Sequence, residues 1–167
     1  MIDDGWRPGL IGEVIRHHGE FYAREWQFTG FFEAKVAGEL AEFMQRYDAT
    51  RDAIFSTYED NTFLASVTID GSDAALPDQT AHLRWFIASD ASRGRGVGRA
   101  LFAHAIGFVR SVGYERCYLT TFAGLDEARH LYERAGFKLV SEADAESWGT
   151  RVREQRFEWG AERASAI

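Results

Sequence analysis

The 167-residue sequence is poor in cysteine and proline and contains no long apolar run. Its one cysteine, Cys117, can form no disulfide within the chain and cannot build a cysteine-based metal site, so a reducing compartment is expected. Residues 1–4 are acidic and lack the basic start of a signal peptide, and no segment approaches the roughly 18 apolar residues of a membrane span. These absences predict a soluble, cytoplasmic protein without a membrane partner.

Positive charge is also scarce, because 19 Lys and Arg residues face 26 Asp and Glu residues and leave a net charge of −7. Nucleic acids and membrane surfaces are bound through clustered Lys and Arg, so this balance disfavours both partners. The apolar share of 46% is enough for a core, and the length fits one compact domain. We expect a single domain over residues 1–160 and a frayed tail over residues 161–167.

Periodicity along the chain predicts a mixed α/β protein. Apolar residues recur every three or four positions in residues 31–47, which is typical of an amphipathic helix. Residues 9–16 are interpreted as a strand, and residues 52–59 and 63–69 as a hairpin around a polar pair. Asp126 is the predicted N-cap of a short helix. The remaining predicted elements are strands over residues 82–88, 115–122, 137–140 and 151–159, and helices over residues 98–111 and 126–134.

The most distinctive stretch is a glycine-rich turn between an apolar strand and an amphipathic helix. Alternating glycines let the backbone curl tightly and approach a ligand. The helix that follows presents free N–H groups and the positive end of its dipole, and the arginines add charge-assisted hydrogen bonds. The turn is therefore predicted to bind a diphosphate, and its residues are Arg93, Gly94, Arg95, Gly96, Val97, Gly98 and Arg99.

Other phosphate-binding loops do not match this turn. A dinucleotide fingerprint counted from Gly94 and Gly96 requires glycine where Arg99 stands, and the sequence contains no Walker loop. An ordinary basic loop that touches RNA is a further alternative, which the net charge disfavours. What remains is the pattern Arg-x-x-Gly-x-Gly, which Arg93, Gly96 and Gly98 satisfy.

A second motif lies downstream, where residues 128–137 read Ala-Arg-His-Leu-Tyr-Glu-Arg-Ala-Gly-Phe. With both motifs at the family's separation and its order of elements, residues 83–140 resemble the GNAT superfamily of acyl-CoA N-acyltransferases. Trp85, the Trp148-Gly149 pair and the final strand also resemble the acetyltransferase half of MarR-type regulator–acetyltransferase fusions. No DNA-binding half is recognisable in this sequence.

The resemblance implies the GNAT fold, a mixed and mostly antiparallel sheet of about six to seven strands flanked by about four helices. It also implies acetyl-CoA as co-substrate, no metal, and direct attack of a primary amine on the thioester. Tyr132 stands where the family often has the general acid for the leaving thiolate, the alternative being a core tyrosine. The family's splayed strands imply that pantetheine follows the main chain of Ile87 and Ala88, where a strand N–H polarises the thioester carbonyl.

The general base is less well defined. Some family members have a glutamate eleven residues before the glycine motif, where this chain has His82. A histidine titrates in a useful range for this role, and the alternative is a strand-end histidine that faces solvent. Arg84 is a candidate for binding an acceptor carboxylate, and Glu20, Glu25 and Glu33 lie where the family's substrate-side segment falls.

Several other residues receive less specific interpretations. Leu125 stands where many relatives have an asparagine that contacts the donor, and Thr120 or Thr121 are candidate substitutes. Cys117 is predicted to be a buried apolar residue rather than a nucleophile. The His17-His18 pair is interpreted as a turn or strand end rather than a metal site, because no further His or Cys clusters with it.

Two classes of function stay open for this sequence. The first is an active N-acetyltransferase that acts on a small amine or a protein amino group. The second is a non-catalytic acyl-CoA-binding sensor or interaction module, which Leu125 and the undefined base favour. Many relatives are homodimers, so the resemblance also implies a homodimer.

Overall fold

A computed structural model describes residues 1–160, and the predicted frayed tail lies outside that range. The described residues form seven strands and four α-helices. These elements are β1 (Ile2–Asp4), α1 (Leu10–Trp26), α2 (Gly30–Gln45), β2 (Ala53–Glu59), β3 (Thr62–Asp70), β4 (Thr80–Ala88), α3 (Val97–Val112), β5 (Arg116–Phe122), α4 (Asp126–Arg134), β6 (Lys138–Ala145) and β7 (Val152–Gly160).

The seven strands form one sheet in the order β1-β2-β3-β4-β5-β7-β6. The pair β4–β5 is parallel, and the other neighbouring pairs are antiparallel. The predicted α/β class, with a mixed and mostly antiparallel sheet and four helices, is confirmed.

Helix α1 corrects a prediction, because residues 9–16, which we interpreted as a strand, belong to this helix and its N-cap. Leu10, Val14 and His18 are buried at four-residue steps. One face of a helix therefore meets the core, whereas a strand would bury alternate residues. Strand β1, which pairs with β2 at the edge of the sheet, was not predicted, because its three residues are too few to show a periodic pattern.

The predicted hairpin is confirmed as β2 and β3. Its turn residues Asp60 and Asn61 have φ angles of 48° and 62°. Two successive left-handed residues are typical of the two-residue hairpin turn whose twist matches that of the strands, and Asn and Asp tolerate this backbone.

Helix α4 begins differently from the prediction. Leu125 holds the N-cap position without a side-chain hydrogen bond, and Asp126 is the first helical residue, so the predicted aspartate cap is wrong. Asp126 and Glu127 instead place two carboxylates in the first turn, where they interact favourably with the helix dipole.

The sheet separates two layers of helices. On one face, α3 and α4 pack against the strands through residues such as Leu101 and Phe102. On the other face, α1 and α2 pack through residues such as Phe32 and Phe43. Strand β4 contributes side chains to both cores and lies in the middle of the sheet. No helix within residues 1–160 combines the length and apolar content needed to cross a bilayer.

Strand β4 contains a bulge at its centre. Ser66 and Thr68 of β3, two positions apart, pair with Ile87 and Arg84, three positions apart, so β4 holds one additional residue. Trp85, at the bulge, has a φ of 47°, which is unusual for a bulky side chain. The bulge bends β4 away from a regular strand just before its carboxyl end.

The parallel pairing between β4 and β5 is short. It covers three residue pairs and ends at His82 and Tyr118. Beyond this point the two strands separate, as the resemblance implied. The carboxyl-terminal halves of β4 and β5 therefore border a gap in the sheet.

Candidate functional site

A cleft of about 1280 Å³ occupies the gap between β4 and β5. Its walls divide by element into two parts. The turn side consists of residues 92–94 and 96–99, α3 and α4, and the aromatic side consists of α1, α2, Phe122, Trp148 and Glu154. The end of β4 lies between the two sides, so a ligand on the turn side can reach a second ligand on the aromatic side.

The predicted glycine turn lies at the mouth of α3. Gly94 and Gly96 have φ angles of 70° and 72°, a left-handed backbone that glycine adopts at little cost, and Gly96 is the N-cap of the helix. The N–H of Ala100 bonds to the Gly96 carbonyl at 3.0 Å. The N–H groups of residues 97–99 have no intrahelical acceptor, and no other backbone carbonyl within residues 1–160 accepts them. They are free to bind an anion.

Gly98 lies where the start of α3 meets the end of β4. A Cβ atom at this position would lie 3.4 Å from Cζ of Phe86 and 3.8 Å from Cβ of Ala88. Both distances are ordinary van der Waals contacts, so the helix N-terminus lies beside the open end of β4 with room for a small side chain at this position.

The three predicted arginines of the turn have different surroundings. Arg93 and Arg99 line the cleft, and Arg93 forms an ion pair with Asp90 at 3.0 Å. Arg95 is not among the lining residues and pairs with Glu59 of the β2–β3 hairpin at 2.6 Å. The structure thus places two of the three guanidinium groups where they can contact a bound anion.

Two further cations of the turn side were missed in the sequence. Arg110 on α3 and Arg134 on α4 both line the cleft. Arg99, Ala103, Ile106 and Arg110 are spaced by four, three and four residues and share one face of α3, a signal that was readable in the sequence. The cleft therefore continues as a groove along α3.

The open edge of β4 presents main-chain groups to the cleft. The N–H of Ser89 bonds to the Leu64 carbonyl of β3 at 2.8 Å. Because successive residues of a strand alternate in direction, the main chain of Ile87 also faces β3, whereas that of Ala88 faces the gap. Of the two predicted residues, Ala88 offers backbone hydrogen bonds to a ligand and Ile87 contributes lining surface.

Tyr132 is 6% exposed and lines the cleft. Its ring packs against Phe102 and Phe157, with centroids 5.5 Å and 6.0 Å apart. Burial, with a smaller contribution from Tyr22 on α1, raises the pKa of Tyr132 above its usual value. The hydroxyl therefore stays protonated at neutral pH, is a weaker acid than an exposed phenol, and can donate a hydrogen bond to an anion that forms in the cleft.

His82 also lines the cleft and is not the solvent-facing strand end of the alternative interpretation. Its ring stacks on Tyr118 with centroids 4.2 Å apart. Burial, followed by the positive charge of Arg84, lowers the pKa of His82 to about 3. The imidazole is therefore neutral at physiological pH and has a free lone pair, but it is a weak base.

His18 is a second neutral histidine in the cleft lining. Nδ1 lies 2.8 Å from the Val14 carbonyl oxygen, and because a carbonyl can only accept, Nδ1 donates its proton. Burial lowers the pKa of His18 to about 4. The unfolded chain therefore binds a proton at this residue near pH 6.5, whereas the folded chain does so near pH 4.

Acidification is expected to destabilise the protein through His18. Because the unfolded state binds the extra proton, the free energy of unfolding falls as the pH drops below about 6.5, and His18 accounts for about 2 kcal/mol between pH 7 and pH 5. Urea unfolding at both pH values measures this change. His18→Asn, whose amide can donate to the same carbonyl, should show a pH dependence weaker by that amount, and an unchanged dependence would contradict the assignment.

Arg84 is not free to bind an acceptor carboxylate, which was one expectation from the sequence. Its guanidinium contacts Asp70 at 3.1 Å and Glu39 at 2.8 Å. Asp70 is fully buried and also pairs with Arg46 at 2.6 Å. Burial favours the neutral acid, but the two guanidinium groups outweigh it and lower the pKa of Asp70. Arg84 is thus neutralised from two sides.

Cys117 is fully buried, as predicted, and burial raises the pKa of its thiol to about 12. A thiol that stays protonated is a poor nucleophile. His17 stacks on Phe63, and it and His18 belong to α1 rather than to the predicted turn or strand end. Within residues 1–160, no group of three or more His, Cys, Asp or Glu side chains is arranged to hold a metal ion.

A sequence model of the acetyltransferase (GNAT) family matches residues 15–137. This span covers most of the chain and contains both the glycine turn and Tyr132. The chain belongs to the GNAT family. The match ends at Phe137, so the part of the cleft contributed by Trp148 and Glu154 lies outside the region shared with the GNAT model.

Solved structures share the GNAT fold. The structure of yncA from Salmonella typhimurium, solved with its cofactor acetyl-CoA, is similar with a TM-score of 0.76 and 12% identity, over 100% of this chain and 96% of that one. The ribosomal-protein-alanine N-acetyltransferase of Brucella melitensis is similar with a TM-score of 0.76 and 11% identity, over 96% and 99%. At these identities the likeness shows a common fold.

A curated relative matches over a shorter stretch. The uncharacterized N-acetyltransferase YjgM of Escherichia coli (strain K12) is 43% identical over 53 residues. The aligned stretch spans about a third of that relative, 32% of each chain.

Leu125 stands where the resemblance led us to expect an asparagine. The leucine side chain lines the cleft, as do Thr120 and Thr121 on β5. Both candidate substitutes for an amide therefore border the cleft.

Proposed function

We propose that the protein transfers the acetyl group of acetyl-CoA to a primary amine by direct attack of the amine on the thioester. The observation that carries the proposal is the cleft itself. It joins free amides at the α3 N-terminus to an open strand edge and to the buried, protonated hydroxyl of Tyr132. Acetyl-CoA supplies the activated acyl group.

The turn side fits the donor. The amides of residues 97–99 and the helix dipole would bind the diphosphate, with Arg93 and Arg99 adding charge-assisted hydrogen bonds. Arg95 has a smaller part in this proposal because it pairs with Glu59. The main chain of Ala88 would hydrogen-bond the pantetheine arm and bring the thioester beside the β4 bulge.

Tyr132 is the proposed general acid. The amine nitrogen forms a bond to the acyl carbon while the carbon–sulfur bond breaks, and Tyr132 gives its proton to the departing thiolate. The proton that the amine loses passes to water, with His82 as the proposed acceptor behind that water. The neutral state of His82 suits this role, and its low pKa confines it to transient protonation.

A non-catalytic acyl-CoA sensor is the second candidate. Leu125 in place of the family's asparagine and the weak basicity of His82 favour it. Both candidates require donor binding on the turn side, and they differ in turnover.

Release of free thiol from acetyl-CoA in the presence of an amine panel tests the proposal. We expect thiol release that depends on both substrates. Folded protein that binds acetyl-CoA in a calorimeter but releases no thiol across the panel would contradict acetyl transfer and support the sensor.

The remaining expectations belong to the same proposal. A cytoplasmic location is supported by the one buried cysteine. A homodimer and the closer kinship with MarR-type fusion acetyltransferases rest on the family resemblance.

A further inference from the structure

The aromatic side of the cleft is a continuous wall of rings. Ring centroids lie 4.8 Å apart for Tyr22 and Phe32, 5.8 Å for Trp26 and Phe122, and 5.5 Å for Phe122 and Trp148. These five side chains come from four different parts of the chain and all line the cleft. Such a wall favours flat apolar groups and attracts cations through the faces of the rings.

One carboxylate in this wall has no cation partner. Glu154 Oε2 accepts a hydrogen bond from Trp148 Nε1 at 2.7 Å, and Glu154 is half-buried. No Lys, Arg or His among residues 1–160 forms an ion pair with it. The other carboxylates of the aromatic side are already paired, Glu25 with Arg24 and Glu39 with Arg84. Glu154 is therefore the group in this wall that can receive an ammonium.

Among the described residues 1–160, the same wall offers no available cation for a carboxylate. Arg84 lines the cleft, but Asp70 and Glu39 neutralise it. Lys35 pairs with Glu39 at 2.7 Å and lies over the Trp148 ring, and it is not among the lining residues. An acceptor with a carboxylate would leave that charge unpaired among aromatic rings, which is costly.

We propose that the acceptor is a carboxylate-free primary amine with a flat, apolar body. The rings of Tyr22, Trp26, Phe32, Phe122 and Trp148 receive the body, and Glu154 receives the ammonium before it loses its proton. This assignment rests on the proposed acetyl transfer and names the substrate class of that site. Trp148 acts as a positioning residue, because its indole N–H orients the Glu154 carboxylate.

Matched pairs of acceptors test the assignment. Thiol release is measured with 2-phenylethylamine against phenylalanine, which differ in the carboxylate, and with 2-phenylethylamine against butylamine, which lacks the ring. We expect kcat/KM for 2-phenylethylamine to exceed that for phenylalanine by about 30-fold and that for butylamine by about tenfold.

Glu154→Gln isolates the charge, because glutamine keeps an acceptor for the Trp148 N–H. We expect KM for 2-phenylethylamine to rise about tenfold while kcat and the dissociation constant for coenzyme A change less than about twofold. Glu158→Gln is the matched control, since Glu158 lies on the same strand, outside the cleft lining, and pairs with Arg156. Calorimetric titration of 2-phenylethylamine into the protein–coenzyme A complex gives a readout without turnover, and Glu154→Gln should weaken this binding by the same factor.

The outcomes separate the two proposals. Equal turnover of phenylalanine and 2-phenylethylamine, or an unchanged KM in Glu154→Gln, overturns the acceptor assignment and leaves acetyl transfer standing. Absence of thiol release with every acceptor, while coenzyme A binds, overturns acetyl transfer and the acceptor assignment with it.

Discussion

Replacing Tyr132 with phenylalanine is expected to lower kcat by about 100-fold and to change the dissociation constant for acetyl-CoA by less than about threefold. The substitution removes the proton that the departing thiolate receives. It keeps the ring and therefore its packing against Phe102 and Phe157. Thiol release gives the rate, and calorimetry gives the affinity.

Tyr58→Phe is the matched control for this variant. Tyr58 lies on β2, packs against Phe63 and does not line the cleft, so both constants should stay at their wild-type values. A Tyr132→Phe enzyme that turns over at the wild-type rate would refute the general-acid role. Loss of acetyl-CoA binding in that variant would instead assign Tyr132 to the structure of the donor site.

Replacing Gly96 with valine is expected to weaken acetyl-CoA binding by about 100-fold. Gly96 has a φ of 72°, and a β-branched residue in this conformation is strained, so the chain would relax and turn the amides of residues 97–99 away from the diphosphate. Calorimetric titration with acetyl-CoA measures the loss. The turn is exposed, so the melting temperature should fall only slightly.

Gly107→Ala separates the effect of the turn from that of adding a side chain to α3. Gly107 lies in the middle of the same helix, without a positive φ, and a Cβ there would meet no atom within 4 Å. Alanine favours the helix more than glycine does, so binding should be unchanged and stability equal or higher. Wild-type affinity in Gly96→Val would show that the turn does not bind the donor.

The glycine turn could be predicted because its information is local. Gly94 and Gly96 both adopt the left-handed backbone that glycine favours, and the amphipathic pattern of α3 begins directly after them. The free amides follow from the helix start alone. The hairpin around Asp60 and Asn61 was readable for the same reason.

Helix α1 was misassigned although its sequence carries a local signal for a helix. Gly19 in the run after His17-His18 suggested a break, yet in the fold it is a helical residue. A Cβ at Gly19 would overlap the exposed carboxylate end of Glu33 on α2, which would have to move aside. The four-residue spacing of Leu10, Val14 and His18 was the signal that favoured a helix.

The aromatic side of the cleft was beyond sequence reasoning. Trp148 and Glu154 follow α1 by more than a hundred residues and line the same cleft as Tyr22 because β7 lies beside β5 in the sheet. The neutralisation of Arg84 also depends on distant partners, Glu39 on α2 and Asp70 at the end of β3. Residue type alone made Arg84 a candidate for binding a carboxylate, but its ion pairs with Glu39 and Asp70 leave it unavailable.

Calorimetric titration of the wild-type protein with coenzyme A, and in parallel with pantetheine, tests the central claim most directly. If the amides at the start of α3 bind the diphosphate, coenzyme A should bind one site per chain and at least about 100-fold more tightly than pantetheine, which lacks the diphosphate and the adenosine 3′-phosphate, and Gly96→Val should remove most of this difference. Equal affinities for the two compounds, or no binding of coenzyme A to folded protein, would contradict the account.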